Sequence, residues 1–107
     1  MNADTVAGDI ASAIGAKKLI SLTDVPGILR DPKDPRTRIS RMSFDEIETL
    51  IANNIINGGM IPKIKSSAAA LKGGVGQVHI IDGGSPHSLL IELFTDEGIG
   101  TMIYRKE

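Results

Sequence analysis

The stretch that most constrains this chain is Gly58 to Gly74, GGMIPKIKSSAAALKGG. Its apolar side returns at Ile64, Ser67, Ala68 and Leu71, the spacing of an amphipathic helix. Pro62 suits the first helical turn, where a missing N–H costs nothing. Gly73 and Gly74 stop the helix, because glycine readily takes the left-handed cap conformation. Lys63 then stands on the first turn behind a flexible glycine pair. Such a turn favours a phosphate: backbone N–H groups and the helix dipole attract negative charge, and a lysine tip adds a movable cation. The same pattern also occurs in helices that bind nothing, so the phosphate reading needs support from elsewhere in the chain.

Around this helix the periodicity switches repeatedly. Residues 2 to 15, NADTVAGDIASAIG, repeat apolar positions at Val6, Ile10, Ala13 and Ile14, which predicts a helix from near Asp4 to Gly15. A helix cap so near Met1 suggests a segment cut from a longer chain. Lys17 to Leu22 reads as a buried strand, followed by a turn over Thr23-Asp24-Val25-Pro26-Gly27. A polar, glycine-containing loop at a strand's carboxyl end is where open α/β sheets place ligands. Ile28 to Arg41 carries Asp31-Pro32 and Asp34-Pro35 between short extended pieces, a hairpin-like excursion. Ser43-Phe44-Asp45-Glu46 is a capping box that opens a helix with Ile47, Leu50 and Ile51 inward, fading at Asn53-Asn54. Gln77 to Ile81 is the next strand, Ser85 to Phe94 a helix, and Thr101 to Tyr104 a last strand.

Helices alternating with short buried strands predict an α/β fold, a three-layer αβα sandwich with a mostly parallel sheet. The 107 residues suit a single domain, residues 1–107. Two Phe, one Tyr and no Trp leave too few stacking platforms for single-stranded nucleic acid. A net charge of −1 lacks the basic excess that duplex binding requires, so nucleic acid is not an expected partner. With no cysteine there are no disulfides or thiolate metal sites. No apolar run approaches a bilayer span, and no signal peptide is evident, so the expectation is no membrane and a cytoplasmic or organelle-matrix location.

The candidate chemical groups are few. Asp4 caps a helix on the simplest reading; facing a strand-end crevice, it would orient lysines or a metal around a transferring phosphate. Asp24 is equally a turn residue or a nucleotide contact. His79 and His87 are too isolated for a zinc site, and the Walker pattern is absent.

Laid in order, NAD (2–4), LTDVPGILRDP (22–32), GGMIPK (58–63), HIIDGGSPH (79–87) and TDEGIGTMI (95–103) resemble the carboxyl-terminal half of the acetylglutamate kinases, members of the amino-acid kinase family. The resemblance covers essentially the whole chain. It implies a nucleotide-binding domain from a longer, two-lobed kinase that transfers the γ-phosphate of ATP to the side-chain carboxylate of N-acetyl-L-glutamate in arginine biosynthesis.

Position by position, the resemblance implies catalytic roles for Asp4, which organises active-site lysines, and Lys63, which contacts the transferring phosphate. It implies that Asp24, Gly27 and Leu29 line the nucleotide pocket, and that Ile56, Asn57, Gly58 and Met60 hold adenine and ribose. Asn2 lies beside the acetylglutamate site, and His87, Glu97 and Gly100 belong to a regulatory arginine site. The implied cofactor is ATP with Mg2+, the metal held mainly by nucleotide phosphates rather than by protein ligands. A homo-oligomer is expected, and the plastid stroma would replace the cytoplasm for a plant or algal source. The family's amino-terminal phosphate loop and second lysine are missing from this sequence. The isolated chain is therefore expected to bind ATP or ADP and to be weakly active or inactive; the alternative is a stand-alone or engineered nucleotide-binding or regulatory module without catalysis.

Overall fold

The computed structural model describes residues 17–25, 27–83 and 100–106. Four strands form one sheet: β1 (Lys18–Thr23), β2 (Arg41–Ser43), β3 (Gln77–Asp82) and β4 (Thr101–Tyr104), in the order β1-β3-β4-β2. β1 runs parallel to β3 and β2 parallel to β4, while β3 and β4 are antiparallel. Two of the three pairings are thus parallel, and the sheet is open. Two α-helices are described, α1 (Ile47–Ala52) and α2 (Met60–Lys72). The fold is α/β with a mostly parallel open sheet, as the alternating periodicity predicts.

The apolar sequence of β3, with Val78, His79, Ile80 and Ile81 all buried, is that of a strand covered on both faces. Val78 and Ile80 point into the main core with Met42, Ile47, Leu50, Ile64, Leu71, Val75 and Ile103. His79 and Ile81 are buried on the opposite face, at 7% and 0% exposure. Both faces of the central strand are therefore sealed, which is the condition for a layered α/β arrangement.

Helix α2 buries Ile64, Ser67, Ala70 and Leu71 against this core. The stripe differs slightly from the sequence expectation: Ala68 is only half-buried and Ala70 takes the inward place. The helix also begins earlier, at Met60, so Pro62 is its third residue. It ends as expected, with Gly74 at φ +110°. The capping box at Ser43 is present, the Ser43 N–H and Oγ–H both donating to Glu46 Oε1 at 3.3 and 3.0 Å. It opens a single 3-10 turn, Phe44–Glu46, that leads into α1.

The excursion from Ile28 to Arg41 is a hairpin whose arms meet at a Leu29–Arg38 bridge. Its base is fastened to β4. Thr101 Oγ1 accepts from the Ile28 N–H at 2.9 Å and donates to the Ile39 carbonyl at 2.7 Å. Arg38 adds a bond from its guanidinium to the Gly100 carbonyl. Gly27, at φ +135°, makes this closure possible, since a Cβ there would stand 2.8 Å from Thr101 Oγ1.

The expected helices over Asp4–Gly15 and Ser85–Phe94 lie outside the described residues. None of the described helices is long and apolar enough to cross a membrane.

Candidate functional site

The loop after β1 and the first arm of the hairpin form one wall of a cleft of about 640 Å³. That wall consists of Thr23, Asp24, Val25, Gly27, Ile28, Leu29, Arg30 and Pro32. The facing wall is Asn54, Ile55, Asn57, Gly59, Met60 and Lys63, the turn that feeds α2 and its first turn. The cleft therefore opens at the carboxyl end of β1, where a parallel sheet leaves its loops free to hold a ligand. Its volume lies within the range of small-molecule and cofactor sites.

Local sequence explains the second wall. After α1 the chain reverses at Asn54 (φ +60°) and again at Gly58 (φ +55°). The Asn57 side-chain amide donates to the Asn54 carbonyl at 2.9 Å, bracing the loop from within. Ile56 turns into the core at 1% exposure, which anchors the loop between its two polar ends. Met60 and Lys63 are three residues apart on α2, so both present to the cleft while Ile64 faces inward.

Five of the residues expected to contact nucleotide line the cleft: Asp24, Gly27, Leu29, Asn57 and Met60, with Lys63 beside them. Ile56 and Gly58 do not. Ile56 is a core residue, and Gly58 shapes the turn whose next residue, Gly59, reaches the cleft. Gly100 is buried at the start of β4, where a Cβ would fall 2.0 Å from the Ile80 carbonyl. That is a packing reason for glycine, separate from any ligand. Asn2, Asp4, His87 and Glu97 lie outside the described residues.

The first turn of α2 is not a row of open donors. The Met60 and Ile61 N–H groups already bond to the Asn57 and Gly58 carbonyls, each at 3.2 Å, and Pro62 has no N–H. Attraction for an anion at this helix end thus rests on the Lys63 cation and the helix dipole rather than on a backbone nest.

Sequence reasoning missed Arg30, Pro32, Asn54 and Ile55 as cleft residues. The Asp-Pro repeats signalled a surface hairpin, but not which of its residues would face the turn at Asn54–Gly59.

The cleft offers chemically distinct zones. Val25, Ile28, Leu29, Pro32, Ile55 and Met60 supply apolar surface for a flat ring, Asn54 and Asn57 supply amides, and Arg30 and Lys63 supply positive charge. A nucleotide has these three kinds of surface. Among the described residues no group of three or more His, Asp or Glu side chains gathers to hold a metal ion.

Comparison with known proteins converges on one family. A sequence profile of the amino acid kinase family matches residues 1–82. Acetylglutamate kinase from Methanococcoides burtonii is 61% identical over 105 residues, which are 98% of this chain and 34% of that protein. The enzyme of the same name from Methanobrevibacter smithii is 58% identical over 105 residues, again 98% of this chain and 36% of that protein. The chain thus spans about a third of the length of the curated relatives it matches. Among solved structures, N-acetylglutamate synthase from Neisseria gonorrhoeae, complexed with coenzyme A and L-arginine, superposes with a TM-score of 0.83 at 37% identity. The match covers 96% of this chain and 23% of that one. Carbamate kinase from Giardia lamblia shares the fold at a TM-score of 0.75 and 20% identity, over 99% of this chain and 36% of that one. The matched profile includes every residue of both cleft walls, and the chain belongs to the amino acid kinase family.

Proposed function

We propose that this chain is the nucleotide-binding part of an acetylglutamate kinase, and that the cleft between the hairpin and α2 holds ATP with Mg2+. The observation that carries the reading is the convergence of Asp24, Gly27, Leu29, Asn57, Met60 and Lys63, drawn from two distant segments, on one cleft. The roughly 60% identity to acetylglutamate kinases supports the choice of that enzyme within the family.

In this reading the apolar wall holds the adenine and Lys63 lies against the phosphate tail. The acceptor carboxylate of N-acetyl-L-glutamate attacks the γ-phosphorus, the bond to the bridging oxygen breaks, and ADP leaves with that oxygen's charge. Lys63 neutralises charge on the phosphoryl oxygens as it moves. Asp4 orients the lysine, and Asn2 stands beside the acceptor. Magnesium, when bound, would be held mainly by the nucleotide phosphates and would offset part of their charge.

Phosphoryl transfer needs several groups acting together. The chain spans about a third of the length of its curated relatives, so this 107-residue segment alone is expected to bind nucleotide and to turn over weakly or not at all. The resemblance assigns His87, Glu97 and Gly100 to an arginine site, and the Glu97 carboxylate suits a guanidinium; the related synthase has been solved with L-arginine.

Calorimetry with Mg-ATP and Mg-ADP tests the reading: binding at millimolar concentration or tighter is expected, and Lys63→Ala should weaken ATP by roughly tenfold while leaving adenosine nearly unchanged. No heat at millimolar nucleotide contradicts it. Appearance of activity on acetylglutamate when an amino-terminal half is added in trans would identify the enzyme.

A further inference from the structure

Lys63 is one cation facing a ligand that carries three or four negative charges, and the cleft offers a second. Arg30 lines the same cleft from the opposite segment, residues 23–32, while Lys63 comes from residues 54–63. Arg30 and Lys63 thus line one cleft from its two walls, the hairpin and α2. We propose that Arg30 is a phosphate-binding residue that closes on the nucleotide tail from the hairpin side. The proposal rests on the nucleotide reading above and extends it to a residue that reading does not use.

The hairpin holds Arg30 in place. Its N–H donates to the Thr37 carbonyl at 3.1 Å, and the next N–H, that of Asp31, donates to Thr37 Oγ1 at 2.9 Å. Below it, the Ile39 N–H bonds the Ile28 carbonyl at 2.8 Å, and Thr101 ties both strands of the base to β4. The side chain therefore projects from a fixed backbone. The two acids of the hairpin are engaged elsewhere: Asp31 Oδ1 accepts from the Lys33 N–H at 3.0 Å, and Asp34 pairs with Arg36 at 3.1 Å.

Arginine suits the task better than lysine would. Its planar fork can bond two phosphate oxygens at once and is never deprotonated in water. Among the described residues, the other ionic group on the cleft wall is Asp24, so two cations face one carboxylate there, a balance that suits a polyphosphate.

The test is titration of the 107-residue chain and its variants with Mg-ADP and with adenosine. Arg30→Ala should lower ADP affinity by about tenfold, leave adenosine affinity within twofold, and flatten the salt dependence of ADP binding. Arg30→Lys should recover only part of the loss. Equal weakening of ADP and adenosine would overturn the phosphate role, and so would an unchanged ADP affinity. If Lys63→Ala discriminates ATP from adenosine and Arg30→Ala does not discriminate ADP from adenosine, the nucleotide reading stands and this proposal falls. A wild-type chain that binds neither ligand ends both.

Discussion

Gly100 leaves almost no freedom at the seam between β3 and β4. A single added methyl would overlap the Ile80 carbonyl and press on the Ile81 side chain, at 2.0 and 2.8 Å. Since backbone rather than a flexible side chain lies in the way, Gly100→Ala should destabilise the fold by about 3 kcal/mol, as overpacking does. A denaturant midpoint unchanged by this substitution would refute the argument. At this scale the site was partly legible. Lys63 stood out because a cation followed a glycine pair at a helix start, and Asp24 and Gly27 because they punctuate a strand end. Arg30 did not stand out, since Arg30, Lys33, Arg36 and Arg38 look alike in sequence. Only the hairpin's register shows which of them reaches the cleft.

The hairpin is the element on which the cleft wall depends, and its stability has two separable sources. At the base, Thr101→Val keeps the shape of the side chain but removes both hydrogen bonds, leaving the Ile28 N–H and the Ile39 carbonyl buried without that partner. Unsatisfied buried groups cost about 1–3 kcal/mol each, so a loss of about 3 kcal/mol is expected, with weaker ADP binding alongside. A loss below about 0.5 kcal/mol would show that the base is held some other way. At the tip, hydrogen bonds from the Arg36 side chain and then from its N–H hold the Asp34 carboxyl below its ordinary value. A lowered folded-state value means that Asp34 stabilises above the unfolded-state value, and that this contribution is lost as pH falls through the folded one. Thermal melts of the wild type and Asp34→Asn should therefore differ slightly at neutral pH and converge in strong acid. A gap that widens on acidification has the wrong sign. Among the elements, β1, β3 and β4 announced themselves as short runs. β1 is not, however, the buried strand its sequence suggested: it ends the strand order, none of its residues is buried and Leu22 is 51% exposed. β2 did not announce itself, because three residues carry too little periodicity to register. Likewise, a capping box marks where a helix starts without saying whether the first turn is 3-10 or α.

For the molecule as a whole, the alternating pattern predicted a mostly parallel sheet with both faces covered, and the burial of Val78 and Ile80 on one face and of His79 and Ile81 on the other agrees. The antiparallel β3–β4 pairing was not legible, because strand direction is settled by the connection and by contacts that no local window contains. The cleft itself was legible only as a place, the carboxyl end of the first strand. Its second wall comes from residues about thirty positions further on, brought opposite by the return of the chain through β2 and α1. The central claim is that this cleft takes a nucleotide. Amide shift changes in the 15N-labelled chain during titration with Mg-ADP test it most directly. Saturable changes concentrated at residues 23–32 and 54–63 are expected; changes absent at millimolar ADP, or concentrated on strand β2 and the carboxyl end of α2, would contradict nucleotide binding in this cleft.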